Sequence, residues 1–212
     1  SGPVHLDKML RWSKFADWLN GTNLAPPMVC LPEGSVEAGQ EYFRPTVVLV
    51  PFSAVKEKQS PPRVFIGVME HLKNDYDFVI AGTPSDIAIN PEYVNLLKVP
   101  NTTFDASTFE DLAPKLMKAD LVVSVDTAAM HLAASLGTPT VCLASAAYVN
   151  EIVPYAREII PDNVRFVFQA MDCQGCLGSC CLPPENGSFP CVARINPDSI
   201  LTAIDELLIK QL

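Results

Sequence analysis

Short apolar runs alternate with longer amphipathic stretches along most of this chain. The runs lie at 47–50, 78–81, 121–125, 140–143 and 164–168, with a shorter one near 102–104. They lack polar alternation, which is typical of strands that are buried on both faces of a parallel sheet. The stretches at 62–72, 107–118, 128–136 and 197–209 carry apolar residues at helical spacing. The pattern predicts an α/β fold: a Rossmann-like parallel sheet of about six strands with helices on both faces.

Capping residues indicate where several of these helices begin and end. Ser107, with Glu110 three residues later, resembles a capping box at the start of one helix. Gly137 is predicted to end the helix that begins at Ala128, as its C′ residue. Asn196 precedes a proline and is the predicted N-cap of the last helix.

The first 44 residues differ from the repeating pattern that follows them. They contain a helical stretch from Leu6 to Leu19, ended by Asn20-Gly21, and then a segment rich in Pro and Gly from Pro26 to Gln40. We therefore expect residues 1–44 to form a linker with an N-terminal helix. Residues 45–212 are expected to form the Rossmann-like domain, including a cysteine-rich segment at 172–195.

Composition and charge narrow the classes of partner. Of 212 residues, 49% are hydrophobic and 18% charged, so the chain can bury a full core. The net charge of −9, from 24 acidic and 15 basic residues, argues against a nucleic-acid partner. The longest uncharged stretch, Thr127 to Asn150, is interrupted by Gly137 and Pro139, so no transmembrane segment is predicted. No basic segment followed by an apolar run opens the chain, and a cytoplasmic location is expected.

Polar residues cluster where three predicted strands end, at 53–58, 82–86 and 126–131. Open parallel sheets bind ligands at this edge. The sequence contains neither Gly-x-Gly-x-x-Gly nor a P-loop motif, which argues against a standard dinucleotide or P-loop site. The third turn, Asp126-Thr127-Ala128-Ala129-Met130-His131, has small residues that let a ligand approach the backbone.

The chemistry of these turns suits a sugar attached to a diphosphate. Free N–H groups at the start of the helix after residue 126 would bind a diphosphate, and Lys56 or Lys58 would add a positive charge. Asp126 would accept hydrogen bonds from sugar hydroxyls. Plainer roles remain open: Asp126 as a helix cap, His131 as a hydrogen-bonded core histidine, and Lys58 as a solvated loop lysine.

Five of the seven cysteines fall within nineteen residues: Cys173, Cys176, Cys180, Cys181 and Cys191. In the absence of a secretory signal, a Cys-x-x-Cys with further cysteines downstream is more typical of a metal site than of a disulfide framework. Four thiolates, with Cys181 as the alternative to Cys180, would bind zinc or iron tetrahedrally. A reduced loop, or adventitious disulfides, is the other interpretation.

Several of these motifs together resemble one known family. The segment Ala119–Thr140, with its Asp-Thr-x-x-x-His motif, resembles the donor-site segment of the bacterial heptosyltransferases, glycosyltransferase family 9. The resemblance spans residues 45–210 and includes Lys58-Gln59-Ser60-Pro61, Pro154-Tyr155, and Cys173-x-x-Cys176 with the later Cys191. Ala128 and Ala129 depart from it, because the family usually has Gly-Pro there. The added methyl group at position 128 would crowd a phosphate, which favours an altered donor preference or weaker binding.

The resemblance implies the C-terminal, donor-binding half of a GT-B enzyme. Such an enzyme moves a sugar, typically heptose from ADP-heptose, to a lipopolysaccharide-type or protein acceptor, inverting the anomeric centre without a metal at the diphosphate. Its catalytic base would come from an N-terminal domain that this chain lacks, and the enzyme would be cytoplasmic or peripheral at the inner membrane. The implied donor contacts are Ser53, Lys58, Asp86, Asp126, Thr127, Ala128 and His131.

Some relatives of this family that modify autotransporters carry an iron finger, and the cysteine cluster of this chain is similar to it.

The rival hypothesis is a non-catalytic module that uses the nucleotide pocket or a cysteine finger to assemble with partners.

Overall fold

A six-stranded parallel sheet forms the centre of the computed structural model, which describes residues 7–37, 39 and 42–209. All neighbouring strands of this sheet run parallel. The strands, in chain order, are β1 (Thr46–Val50), β2 (Asp77–Ala81), β3 (Thr102–Asp105), β4 (Leu121–Val125), β5 (Thr140–Leu143) and β6 (Val164–Val167). They are arranged in the order β3-β2-β1-β4-β5-β6. The predicted α/β, Rossmann-like parallel sheet is confirmed.

Helices lie between and after the strands. They are α1 (Lys8–Asn20), α2 (Pro62–Leu72), α3 (Pro84–Ile89), α4 (Phe109–Lys118), α5 (Ala128–Ser135), α6 (Pro190–Ala193) and α7 (Pro197–Ile209), with short 3-10 helices at 56–58, 91–98 and 146–148. Gly137, with φ of 81°, follows the end of α5, and Asn196 Oδ1 accepts the amide of Asp198 in the first turn of α7, both as predicted. No helix in the described ranges is long and apolar enough to cross a membrane.

The sheet separates two apolar layers, because successive side chains of a strand point to opposite faces. On one face, Val47 and Leu49 of β1 pack with α2 and α7 in the largest core cluster. On the other face, Val48 and Val50 pack with α4 and α5. All five residues of β1 and all five of β4 are buried, which explains why each strand has four apolar residues.

The direction in which the chain adds strands reverses between β1 and β4. From β1 the chain adds β2 and β3 on one side, and it then returns to place β4 against the other side of β1. The register pairs Val50 with Ser124, so the two strands end at nearly the same level. The loops that follow β1 and β4 therefore leave the sheet on either side of a crevice, the usual ligand position in this class of fold.

The N-terminal helix is fixed to the remainder of the protein through few contacts. Asp7 caps α1 by accepting the amide of Met9 at 2.7 Å, and Leu10 is its buried residue. The amide of Lys8 donates to the carbonyl of Glu151, which belongs to the loop after β5. Of the predicted first unit, Leu6 and Gln40 lie outside the described residues, as do residues 210–212 of the second unit.

The capping box predicted at Ser107 is wrong by one residue. Thr108 is the N-cap of α4, and its hydroxyl accepts the amide of Asp111 at 3.2 Å. Ser107 instead donates its amide and its hydroxyl to the carboxylate of Asp105, at 2.9 and 2.5 Å. Adjacent serine and threonine each have an acidic residue three positions later, so spacing alone does not identify which one caps the helix.

Candidate functional site

The loop after β1 folds back so that Lys58 reaches the crevice beside β4. A short 3-10 helix covers 56–58, and the side-chain amide of Gln59 donates to the carbonyl of Ser53 at 3.0 Å. This contact ties the two ends of the loop together. The lysine is thereby placed close to the first residue after β4.

Lys58 and Asp126 form a nearly buried ion pair in the crevice. The ammonium of Lys58 contacts Oδ2 of Asp126, and their side chains are 11% and 4% exposed. Burial by itself would raise the pKa of Asp126, but hydrogen bonds from His131 and Lys58, together with the positive charge of Lys58, outweigh it and lower this pKa. The interpretation of Lys58 as a solvated loop lysine is therefore wrong.

Asp126 also faces His131, one turn into α5. The distance from Asp126 Oδ1 to His131 Nε2 is 3.5 Å, and the imidazole is 35% exposed. The helix cap is the next residue: the hydroxyl of Thr127 accepts the amide of Met130 at 3.5 Å. Asp126 is therefore not the cap, and its carboxylate is directed to two donors of the crevice.

The first turn of α5 presents main-chain donors at the same place. Within the described part of the chain, the amides of Ala128 and Ala129 have no hydrogen-bond acceptor. Ala128 is exposed and Thr127 partly exposed. Because the start of a helix carries a partial positive charge, these N–H groups favour an anionic ligand.

Ser53 and Asp86 make local contacts with neighbouring residues of their own loops. Ser53 is in the same loop as Lys58, and its hydroxyl accepts the amide of Val55 at 3.3 Å. Asp86 follows β2, the strand beside β1, and its carboxylate accepts the amide of Thr83 at 2.7 Å in the capping box of α3. The structure thus brings Lys58, Asp126, Thr127, Ala128 and His131 together, whereas Asp86 has a local structural partner.

Tyr148 belongs to this site and is not predicted from the sequence. Its ring centroid lies 4.7 Å from the ammonium of Lys58, a cation–π distance. The residue lies in the 3-10 helix after β5, the strand next to β4. The order of the strands brings this loop next to Lys58, so the residues around Tyr148 do not by themselves predict the contact.

The cysteine-rich segment, residues 172–195, is hydrogen-bonded to the loop that carries Lys58. The amide of Phe189 donates to the carbonyl of Glu57 at 2.7 Å, and the hydroxyl of Ser188 donates to the carbonyl of Gln59 at 2.7 Å. The two acceptors, Glu57 and Gln59, are the residues on either side of Lys58. The cysteine-rich segment therefore helps to set the position of Lys58.

Four of the predicted metal ligands converge on one narrow cavity. Cys173, Cys176, Cys180 and Cys191 line a space of about 10 Å³, and Cys181 is exposed nearby. Loss of hydration and the neighbouring cysteines raise the pKa of Cys173 to about 11. Among the described residues, however, no three His, Cys, Asp or Glu side chains are arranged so that they could hold a metal ion. The sulfur atoms share a cavity without forming a closed ligand set.

Comparison with known families now identifies the class of protein. The profile of glycosyltransferase family 9 (heptosyltransferase) matches residues 17–178, which is more than half of the chain. The chain belongs to glycosyltransferase family 9. The matched range contains every predicted donor-contact residue. A search of curated protein sequences found no match to this chain.

Solved structures of family 9 proteins share the fold of this chain. E. coli ADP-heptose LPS heptosyltransferase II has a TM-score of 0.60 and 17% identity, over 79% of this chain and 47% of that protein. A family 9 glycosyltransferase from Veillonella parvula has a TM-score of 0.57 and 21% identity, over 78% and 46%. TibC from E. coli, an iron-containing dodecameric heptosyltransferase solved with ADP-D-β-D-heptose, has a TM-score of 0.64 and 16% identity, over 93% and 53%.

These matches support the architecture. The six-stranded sheet with its helices corresponds to a Rossmann-like part of GT-B glycosyltransferases, as predicted. The chain spans about half the length of these structural neighbours.

Proposed function

We propose that this chain is the donor-binding, C-terminal half of an inverting GT-B glycosyltransferase whose donor is ADP-heptose. The observation that carries the proposal is the meeting of Lys58, Asp126 and the free amides of α5 where the strand order reverses. The acceptor is proposed to be of the lipopolysaccharide type or a protein. Family membership and the ADP-heptose named for two structural neighbours support this choice of donor.

A diphosphate would be held by local positive charge against the overall charge of the chain. The net charge of −9 repels an anion at long range, so binding must come from groups in direct contact. An ammonium has three N–H donors, and Asp126 need occupy only one of those of Lys58. The remaining donors and the amides of Ala128 and Ala129 would bind phosphate oxygens.

The other predicted contacts have narrower roles in this proposal. Asp126 is nearly buried, which supports a role in holding Lys58 and His131 in place, and its contact with sugar hydroxyls stays a prediction. Ser53 and Thr127 are partly exposed, and their hydroxyls are proposed to contact the donor. Asp86 stays a predicted nucleoside contact, although its carboxylate also caps α3.

The chemistry that follows is a single displacement at the anomeric carbon. The acceptor oxygen forms a bond to that carbon as the bond to the diphosphate oxygen breaks, and the configuration inverts. Negative charge grows on the leaving diphosphate, where Lys58 and the start of α5 would stabilise it. No metal is required for this step.

The proton of the acceptor hydroxyl would pass to an acidic base outside this chain. We place that base in an N-terminal domain, because this chain covers only 47% and 53% of two structural neighbours. Residues 1–44 would then connect the two halves, and residues 45–212 would form the donor domain.

We propose a cytoplasmic location, with peripheral association at the inner membrane where a lipopolysaccharide-type acceptor is presented.

Titration of the chain by calorimetry with ADP-heptose, ADP and UDP-sugars tests the proposal. We expect saturable binding of ADP-heptose and ADP, with weaker binding of UDP-sugars. If none of these compounds binds at millimolar concentration, the donor-site proposal fails. The non-catalytic assembly module would then be the better description.

We also propose that the cysteine cavity holds structural zinc or iron. Its thiols match the ligands these metals prefer, but the described arrangement would have to close around the ion. Cys173, Cys176, Cys191 and either Cys180 or Cys181 would be the ligands. One structural neighbour, TibC, is iron-containing.

Metal content is therefore expected to be stoichiometric. Protein purified without chelator should contain about one zinc or iron ion per chain, as in four-thiolate structural sites. Elemental analysis of Cys176→Ser should show the metal lost, whereas Cys30→Ser, an exposed cysteine outside the cluster, should retain it. Absence of stoichiometric zinc and iron from the unaltered chain would contradict the metal proposal.

A further inference from the structure

His131 has a second partner, Tyr155, that lies behind the donor site. The hydroxyl of Tyr155 is 2.5 Å from Nδ1 of His131, and the tyrosine is only 6% exposed. Tyr155 follows β5 in the chain. The two nitrogen atoms of His131 therefore face different groups: Nδ1 faces Tyr155, and Nε2 faces Asp126.

The charges around the imidazole decide which nitrogen carries the proton. Asp126 is ionised, because its pKa is lowered by its neighbours, so its oxygen can only accept a hydrogen bond. A neutral imidazole meets this carboxylate best with a proton on Nε2. Nδ1 then has a lone pair, which the hydroxyl of Tyr155 fills as donor.

Tyr155 is suited to act as this donor. Burial, reinforced by nearby Cys142, Asp126 and Asp7, raises its pKa, so the hydroxyl keeps its proton at physiological pH. The edge of its ring packs against Phe166, with 5.0 Å between centroids and 79° between planes. This contact packs the tyrosine ring on the side of β6, where Phe166 lies.

The imidazole of His131 borders an open groove on one side. This apolar groove of about 720 Å³ lies between α1, α5 and the loop after β5, is lined by Trp12, Met28 and Ile152, and reaches both His131 and Tyr155. The polar contacts with Tyr155 and Asp126 therefore hold the orientation of the imidazole.

We propose that Tyr155 is a positioning residue that holds His131 as its Nε2–H tautomer and aims this N–H into the donor site. The use of the N–H by the donor rests on the proposed function, whereas the tautomer does not. An N–H at this position can be shared between Asp126 and a phosphate or sugar oxygen of the donor. The opposite tautomer would present a lone pair, which repels both.

Nitrogen-15 NMR of the histidine side chains tests the tautomer in the 212-residue chain itself. The signals of His131 are assigned with His131→Gln. We expect the Nε2–H tautomer at pH 7.5 in the unaltered chain and a loss of this preference in Tyr155→Phe, which keeps the ring against Phe166. An Nδ1–H tautomer or an imidazolium in the unaltered chain would overturn the proposal, as would an unchanged spectrum in Tyr155→Phe.

Tyr93→Phe is the matched control. Tyr93 is also buried, and its hydroxyl donates to the carbonyl of Ser60 at 2.6 Å, away from His131. Its loss should lower stability by a similar amount and leave the His131 signals unchanged. A change of tautomer in Tyr93→Phe would show a general response to a lost hydroxyl and would overturn the specific role of Tyr155.

Affinity for ADP-heptose gives the functional measurement. Tyr155→Phe should weaken binding roughly fivefold, the usual worth of one neutral hydrogen bond, while Tyr93→Phe should not change it. Unchanged affinity in Tyr155→Phe, with the tautomer lost, would remove the donor-site role and leave the tautomer role intact. Failure of the unaltered chain to bind any donor would contradict the proposed function, while the NMR result would still decide the tautomer.

Discussion

Replacing Asp126 with alanine is expected to destabilise the chain by about 3 kcal/mol and to abolish measurable ADP-heptose binding. The substitution leaves the ammonium of Lys58 almost buried without its carboxylate, and an uncompensated buried charge is costly. It also removes the acceptor that faces Nε2 of His131. Both donors then lose their position in the crevice. Urea unfolding measures the stability, and calorimetric titration measures the binding.

Asp105 provides the matched control for this substitution. It also ends a strand, β3, and its carboxylate accepts a hydrogen bond from the ammonium of Lys115 at 2.6 Å. Lys115 is 41% exposed, so water can replace that partner. The amide and hydroxyl of Ser107 also lose their acceptor, so Asp105→Ala should cost about 2 kcal/mol. It should leave ADP-heptose binding unchanged. Equal loss of binding in the two variants would show that Asp126 has no special role.

Replacing Lys58 with methionine is expected to weaken ADP-heptose binding about 100-fold, since a charged hydrogen bond to a phosphate is worth roughly twice a neutral one and more than one is lost. Methionine keeps most of the apolar length of the side chain but lacks the ammonium that lies over the ring of Tyr148. It removes the positive charge that would face the diphosphate. Calorimetric titration measures the affinity, and Lys115→Met is the control with an equal change of charge.

The stability of a double variant separates folding from binding. Lys58→Met alone leaves the carboxylate of Asp126 buried with only His131 beside it, and this variant should be less stable. Adding Asp126→Leu removes the remaining charge, so much of the stability should return, as it does when other buried ion pairs become apolar. Binding should stay lost. Recovery of binding in the double variant would contradict a direct role for Lys58.

The layers of the fold could be predicted from the chain because burial on both faces of a sheet leaves a direct pattern. Val47–Val50 is apolar without interruption and Leu121–Val125 is apolar except for Ser124, and the structure buries both completely. Helix ends could also be predicted where one residue type is strongly preferred, as glycine is at the C′ position that Gly137 occupies. The N-cap of α4 could not be predicted in this way, because Ser107 and Thr108 carry equivalent hydroxyl groups one residue apart.

The contacts within the site were harder to predict from the sequence, because they depend on the order of the strands in the sheet. The motif at 126–131 indicated a ligand site, but nothing local showed that the ammonium of Lys58 would be buried against Asp126. The roles of Tyr148 and Tyr155 depend on β5 lying beside β4. The family resemblance pointed to Tyr155 through Pro154-Tyr155 without giving its partner. The structure supplied that partner.

The place where ADP-heptose binds is the central claim, and NMR mapping of backbone amides tests it most directly. ADP-heptose is titrated into the nitrogen-15-labelled chain, and the shift of each amide is followed to saturation. The account predicts the largest shifts at Lys58, Ala128 and Ala129, with little change at Asp105. Shifts confined to the apolar groove around Trp12, or no shifts at millimolar ADP-heptose, would contradict it.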